Sequence, residues 1–344
     1  MKEIRYWTSH PNTSPEWWYK CLGLKPESFQ LTFDPVMPDY LLATEHIYTE
    51  WRAKIDFKRL YSFNRVVLFW AGECISPDMN LFDYATTFDK GMKLSDRIIR
   101  RPAVSFFGGF NKEPLNVIRN SAKTVLTSKN KFCNFIYTNA MAHPRRDALY
   151  FAISKYKHVD SLGRHLKNTD AFDSRSDVDF EAKSVLMKRP YKFSIAAENA
   201  TAKGYVTEKL LTSFLAYTVP IYWGDPDVEE EFNPKAFINA NTLNDDMLIK
   251  RVSEVDLDDG LWEEMVSQPL MTEEQHSRML IEEMRYCAFM ENVFGQSMKA
   301  ALRRPQGYWS DNYRRTFFSA KAHPVGGSSR LRRLFCSGIQ MLVR

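Results

Sequence analysis

The sequence predicts an α/β fold built on parallel sheets and divided into two domains. Three observations carry this. Strand-like apolar runs alternate with helical stretches, three of these runs end in charged or polar loops, and the chain has 344 residues. A single core stops growing near 250–300 residues, so two domains of about 150 residues each are expected, with a cleft between them.

The first transition is Val66-Val67-Leu68-Phe69-Trp70, followed by Ala71-Gly72-Glu73. A continuous apolar run of this length suits a strand buried on both faces that stops abruptly. The second runs from Phe132 to Thr138, continues through Asn139, Pro144, Arg145 and Arg146, and passes into a helix over Asp147 to Tyr156. The third reads as a complete βαβ unit: strand Tyr191 to Ala197, loop Glu198 to Gly204, helix Thr207 to Tyr217, strand Val219 to Trp223. Strands alternating with helices imply a parallel sheet covered on both faces, with ligands bound beyond the carboxyl ends of its strands. From about Glu254 to Arg303 the pattern is mostly helical, interrupted at Pro269, with Met279, Leu280, Met284, Cys287 and Ala288 on one stripe. A long helix there is expected to cross back towards the first domain. Ala322 to Ser329 reads as a linker rich in glycine and serine.

With 44% hydrophobic and 26% charged residues, the composition is that of an ordinary globular protein and excludes collagenous and disordered classes. No run of about 18 apolar residues occurs, and the N-terminus carries no leader-like stretch. The expectation is a chain that does not cross a membrane. Five widely spaced cysteines, without a Cys-x-x-Cys pair, fit a reducing compartment. The net charge of +5 is uneven: from Lys299 onward ten Lys and Arg face the single acid Asp311, a local balance of +9 that leaves the remainder near −4. Such a body lacks the basic groove of a nucleic-acid enzyme, and no nucleic-acid partner is expected.

Lys209 stands in the first turn of the helix that Thr207 begins, where a cation opposes the helix dipole unless an anion lies in front. Helix N-termini after βα loops bind phosphates, and Lys209 with Gly204 and nearby backbone N–H groups would hold a diphosphate. The same lysine reads equally as a solvated surface residue. Glu208 suits the dipole as an ordinary first-turn acid and would also accept hydrogen bonds from sugar hydroxyls. Arg145 and Arg146, placed before another helix, would clamp phosphate oxygens in bidentate fashion.

Ala197-Glu198-Asn199, then Tyr205-Val206-Thr207-Glu208-Lys209-Leu210, then Val219-Pro220-Ile221-Tyr222-Trp223-Gly224 resemble the donor-binding signature of the α-1,3-fucosyltransferases of glycosyltransferase family 10. Phe232 to Asn239 is similar to the segment that follows it in bacterial members. Upstream, Gly72-Glu73, Leu81-Phe82-Asp83-Tyr84-Ala85, Phe88-Asp89, Asp96-Arg97 and Arg101-Pro102 resemble the family's N-terminal catalytic region. The resemblance covers roughly residues 60 to 245. Ala197 stands where an aromatic is common, and Ala200 where serine is usual.

The resemblance implies a GT-B arrangement, two Rossmann-like domains facing across a cleft. Residues 1–130 would bind the acceptor, 131–300 GDP-fucose, and 301–344 form a basic tail. It implies inverting transfer of L-fucose from GDP-β-L-fucose to an acceptor glycan, by family default O3 of GlcNAc in N-acetyllactosamine, giving a Lewis-type product. Glu73 matches the family's proposed general base, with burial at a strand end expected to raise its pKa. Arg146, Asn199, Tyr205, Glu208 and Lys209 match positions that contact GDP-fucose. The alternatives are another GDP-sugar as donor, or a silent glycan- or membrane-binding protein.

Asp177-Val178-Asp179, Asp225-Pro226-Asp227 and Asp256-Leu257-Asp258 have the Asp-x-Asp form that holds a divalent metal in many sugar transferases. The cations Arg146 and Lys209 make a metal unnecessary, so no metal and no cofactor is expected. His143 lies near the proposed nucleotide, and Phe106-Phe107-Gly108-Gly109-Phe110 suits an acceptor-side loop. Leu331, Leu334, Phe335 and Leu342 share one face of a possible terminal helix opposite arginines, as in an interfacial anchor. A disordered basic tail is the other reading. Together with the resemblance, this predicts a bacterial cytoplasmic enzyme, peripheral on the inner face of the membrane.

Overall fold

The computed structural model describes residues 1–48, 57–101, 115–119, 125–169 and 180–322. The first domain contains β1 (Lys2–Thr8), α1 (Pro15–Leu22), β2 (Phe29–Phe33), β3 (Tyr40–Thr44), α2 (Phe57–Ser62), β4 (Val66–Trp70), β5 (Tyr84–Thr87) and β6 (Ile98–Arg100). The second contains β7 (Lys131–Phe135), α3 (Pro144–Tyr156), β8 (Val159–Ser161), α4 (Phe180–Lys188), β9 (Tyr191–Ala197), α5 (Glu208–Leu215), β10 (Val219–Trp223) and β11 (Ile238–Asn239). Helices α6 (Asp245–Leu257), α7 (Asp259–Ser267), α8 (Glu273–Gly295), α9 (Met298–Ala301) and α10 (Tyr308–Ala322) follow.

The expected class is the one observed. Six strands pair in the order β2-β1-β3-β4-β5-β6 and five in the order β11-β10-β9-β7-β8, and every ladder between these strands is parallel. Every residue of β4 and of β10 is buried, which explains their unbroken apolar runs: a parallel strand covered on both faces has no solvent side to make polar. The predicted strands Val66–Trp70, Tyr191–Ala197 and Val219–Trp223 coincide with β4, β9 and β10.

Helix α3 begins earlier than the sequence suggests. The His143 ring accepts a hydrogen bond from the Arg145 backbone N–H at 3.1 Å, and Pro144 occupies the first turn, where its missing N–H costs nothing. Arg145 and Arg146 therefore lie inside the first turn rather than before the helix. The strand ahead of it is correspondingly shorter, ending at Phe135.

Two expectations for the C-terminal third are corrected. The stripe Met279, Leu280, Met284, Cys287, Ala288 is not a single buried face: Leu280 and Met284 are exposed, while Tyr286, Met290, Val293 and Phe294 are fully buried. The helix serves two cores. Met279 packs on the second domain, whereas the last turns enter the core of the first beside Tyr6, Tyr40 and Trp70. The crossing anticipated for this segment is thus made by α8, and residues 286–301 pack with the first domain.

Nor is the segment from 301 a tail throughout. Asp83, fully buried at the start of β5, accepts hydrogen bonds from the backbone N–H groups of Arg303 (2.7 Å) and Arg304 (2.8 Å) and pairs with the Arg304 side chain. The Arg304 guanidinium also donates to the carbonyls of Arg65 and Phe63, each at 2.7 Å. Helix α10 then lies over α2, with Phe317 and Phe318 against a core that includes Phe69 and Phe82. Local basicity hid this, because arginines held by a buried carboxylate and by carbonyls read in sequence as surface charge. The terminal apolar face and the loop Phe106–Phe110 lie outside the described residues.

Candidate active site

In the second sheet β7 is flanked by β8 on one side and β9 on the other, so strand order reverses between β7 and β9. A crevice opens beyond the carboxyl ends of strands at such a point. A cavity of about 230 Å³ lies there, lined from the second domain by Tyr137, Asn139, Arg146, Lys188, Asn199, Tyr205, Thr207, Glu208 and Lys209 and from the first by Gly72 and Glu73. The six residues that match the family's base and donor contacts, Glu73, Arg146, Asn199, Tyr205, Glu208 and Lys209, meet in this one cavity, whereas Arg145, expected to clamp phosphate beside Arg146, does not line it and pairs with Asp245.

Glu73 follows β4 and reaches the loop that follows β9. One of its oxygens, Oε2, accepts from Asn199 Nδ2 at 2.9 Å and from the Tyr205 hydroxyl at 3.1 Å. Glu73 is exposed rather than buried at the strand end, so the burial expected for it is absent. Its loop is held from the first domain, where the Gly72 N–H donates to Glu45 Oε2 at 3.2 Å. Asn199 and Tyr205 thus touch the proposed base as well as lining the cavity.

Arg146 has only 2% of its surface exposed. It donates to the Asn139 carbonyl at 2.5 Å and its guanidinium stacks over the Tyr137 ring, 4.6 Å from the centroid. Tyr137 is itself fixed, since its hydroxyl accepts from the Ala197 N–H at 2.7 Å and lies 2.9 Å from the Ile195 carbonyl. Two buried atoms of the site, Arg146 Nε and Asn199 Oδ1, have no hydrogen-bond partner among the described residues. Buried polar atoms left unpaired carry a free-energy cost that a ligand can remove. His143 also reaches the loop, donating its backbone N–H to the Asn199 carbonyl at 2.7 Å while its ring packs on Trp223. That backbone hydrogen bond joins the β7–α3 loop to the β9–α5 loop, so the arginine and the asparagine are held in fixed relation.

Glu198 is the residue that sequence reasoning passed over. It is fully buried at the end of β9. Its carboxylate accepts from the Thr207 N–H at 2.8 Å and the Thr207 hydroxyl at 2.7 Å, and pairs with Lys209 Nζ at 3.1 Å. The anion that Lys209 needs in front of α5 is therefore supplied first by the protein. Glu208 adds a second carboxylate at 3.2 Å from the same ammonium. Burial acts to lower the Lys209 pKa, but Glu198 and then Glu208 outweigh it and raise it. Burial pushes Glu198 upward against the pull of Lys209, while at Glu208 the opposing pull of Lys209 and Thr207 exceeds burial and lowers it. The signal for Glu198 was its place in Ala197-Glu198-Asn199, directly after an apolar strand.

The loop between Asn199 and Tyr205 docks on the first domain. Gly204 has φ +86°, and a Cβ there would lie 2.4 Å from the Phe88 carbonyl oxygen, so both conformation and space call for glycine. Phe88 also meets the Tyr205 ring edge-on at 4.9 Å. Charged pairs extend this contact: Arg100 reaches Glu231 at 2.6 Å and Glu282 at 2.8 Å.

The two Asp-x-Asp pairs that can be described have other partners. Asp227 pairs with Lys203 at 3.0 Å and Asp225 lies 3.9 Å from Lys90. Asp256 is approached by Lys157 at 3.0 Å and Lys192 at 3.6 Å, and Asp258 caps α7 through the Leu261 N–H. Among the described residues, no group of three or more His, Cys, Asp or Glu side chains is placed to hold a metal ion. Asp177 and Asp179 lie outside the described residues.

Known proteins resemble the chain in sequence and in fold. Residues 126–300 match the model of glycosyltransferase family 10 (fucosyltransferase), C-terminal part, and residues 20–107 match that of the alpha-(1,3)-fucosyltransferase FucT N-terminal domain. The chain is 29% identical over 205 residues to an alpha-(1,3)-fucosyltransferase FucT of Helicobacter pylori, covering 51% of this chain and 40% of that protein. It is 33% identical over 252 residues to a putative fucosyltransferase of Acanthamoeba polyphaga mimivirus, covering 71% and 39%. A GDP-fucose protein O-fucosyltransferase 3 of Homo sapiens is 27% identical over 216 residues, covering 59% and 43%. The matches thus span about two fifths of the length of these relatives. A crystal structure of an alpha1,3-fucosyltransferase superposes with a TM-score of 0.69 at 20% identity, covering 89% of this chain and 93% of that one, which shows a shared GT-B-like fold. With the family's C-terminal model matched over half of its residues and the N-terminal model matched ahead of it, the chain belongs to glycosyltransferase family 10.

Proposed function

We propose that the chain transfers L-fucose from GDP-β-L-fucose to a hydroxyl of an acceptor glycan, with inversion at the anomeric carbon. The observation that carries this reading is the meeting of Glu73 from one domain with Arg146, Asn199, Tyr205, Glu208 and Lys209 from the other in a single cavity. An acceptor hydroxyl is a weak nucleophile, and Glu73, exposed to the cleft, takes its proton as the new bond forms. The anomeric carbon gains oxocarbenium character, which Glu208 stabilises. Negative charge develops on the departing GDP and is met by Arg146, Lys209 and the N-terminus of α5. A single displacement turns the β-linked donor into an α-linked product.

The acceptor proposed is O3 of GlcNAc in N-acetyllactosamine. Acceptor-dependent release of GDP from GDP-fucose tests it, with a serine- or threonine-bearing glycoprotein domain as the competing acceptor suggested by the O-fucosyltransferase relative. Preferential transfer to the protein would overturn the glycan assignment while leaving the donor in place.

The reading also holds that no divalent metal is needed, because fixed cations face the diphosphate. Turnover in excess EDTA is expected to equal that of untreated protein. Activity lost in EDTA and regained only with manganese would contradict this. The proposed site of action is the inner face of a bacterial cytoplasmic membrane, with residues 330–344 as the contact. Among the described residues, no helix is long and apolar enough to cross a membrane. Cell fractionation with and without residues 323–344 tests the placement, an unchanged distribution counting against the tail.

A further inference from the structure

Lys188, the last residue of α4, has 5% of its surface exposed and lines the same cavity as Arg146 and Lys209. Its ammonium donates to Thr212 Oγ1 at 2.7 Å and Ser213 Oγ at 3.1 Å, both on α5. The Thr212 hydroxyl donates to the Glu208 carbonyl at 2.8 Å, and that of Ser213 has the Lys209 carbonyl at 2.7 Å and Ser194 Oγ at 3.1 Å as acceptors. The two hydroxyls give Lys188 lone pairs but no negative charge. Among the described residues no carboxylate forms an ion pair with Lys188, whereas Lys209 touches two. Arg146 has Asp147 at 3.6 Å. Of the three described cations that line the cavity, Lys188 is the one without an ion-paired carboxylate.

A buried ammonium without a counter-ion is costly, and the group responds by losing its proton. Burial pushes Lys188 down to about 7; Glu208 and Glu198 act to raise it and Lys209 to lower it. An anionic oxygen brought into the cavity supplies the missing charge.

Resting on the donor reading above, we infer that Lys188 is a donor-binding residue whose ammonium meets an oxygen of the nucleotide diphosphate, so that GDP-fucose binding draws one proton from solvent onto Lys188 Nζ. The sign follows from linkage. Binding favours the protonated lysine, so affinity is highest below pH 7 and falls by about tenfold per pH unit above it, until the pKa of the bound state is reached. Among the described residues, the charged groups that act on Lys188 are Glu208, Lys209 and Glu198. Glu198 is the facing carboxylate whose pKa is raised above its ordinary range, and a substitution at Lys188 separates the two.

Titration calorimetry with GDP-fucose at pH 8, in two buffers of different ionisation enthalpy, measures the proton directly. GDP-fucose is the probe because its diphosphate, unlike that of GDP, has no terminal phosphate that titrates near neutrality. The wild type is expected to take up about one proton per site. Lys188→Met is expected to bind about ten- to hundredfold more weakly at pH 7, without proton uptake, and to melt at a higher temperature when ligand-free. Lys188→Arg keeps a cation that does not titrate, and is expected to bind without uptake, which carries the test should the Met variant fail to fold. Wild-type affinity together with undiminished uptake in either variant would overturn the inference and assign the proton to Glu198. Failure of the wild type to bind GDP-fucose would instead overturn the donor reading itself.

Discussion

Replacing Glu73 with Gln is expected to lower acceptor-dependent transfer about 10²- to 10⁴-fold, the range set by loss of a general base. The substitution is nearly isosteric. The Gln amide oxygen still accepts from Asn199 and Tyr205, which now reach Glu73 Oε2 at 2.9 and 3.1 Å, so the cleft contact survives. Affinity for GDP-fucose is therefore expected to stay within a few-fold of the wild type, with the loss confined to kcat. Steady-state kinetics with donor and acceptor varied separately make the measurement. A rise in donor KM with unchanged kcat would show that Glu73 serves donor binding and not proton transfer.

The second large effect is expected at Glu198. Glu198→Ala removes a fully buried carboxylate and leaves Lys209 half-buried beside Glu208 alone, with the Thr207 N–H and hydroxyl proton deprived of their acceptor at the start of α5. Breaking a buried ion pair from one side costs about 3–5 kcal/mol, much of it from the partner left behind. Chemical denaturation is expected to show an unfolding free energy lowered by that amount, through a lower midpoint with the slope unchanged. The Lys209 ammonium, freed from Glu198, would also change position in the donor cavity, so weaker GDP-fucose binding should accompany the loss. A destabilisation below about 1 kcal/mol, the range of an exposed pair, would mean that the contact is solvated and not structural.

Much of the fold was legible because parallel strands buried on both faces leave continuous apolar runs. Val66–Trp70, Tyr191–Ala197 and Val219–Trp223 announced themselves in this way, and the charged residues just beyond them marked the carboxyl ends where the site is found. The six residues proposed for the site stand in short motifs at those ends, and the fold gathers them around one cavity. What the sequence hid was pairing over long separations. Asp83 holds Arg304 across more than two hundred residues, so residues that read as the start of a basic tail turn out to be anchored to the first sheet. The true buried stripe of α8 was hidden for a related reason: the helix leaves one core and enters another, and its apolar face changes along its length. Glu198 was visible in its motif but read as part of a loop, because only the fold shows its carboxylate turned inward to Thr207 and Lys209. Lys188 gave no signal at all. At the last position of a helix a lysine suits the dipole and is ordinarily solvated, and only the packing of α4 against α5 reveals that it is buried.

The cavity at the N-terminus of α5 is the proposed GDP-fucose site. Titration calorimetry in EDTA, with GDP-fucose and GDP-mannose added separately to the wild type and to Lys209→Met, tests it without reference to any acceptor. One site per chain, preference for GDP-fucose over GDP-mannose and loss of binding in the variant are expected. Absence of GDP-fucose binding by the wild type, or equal binding by wild type and variant, would contradict that assignment.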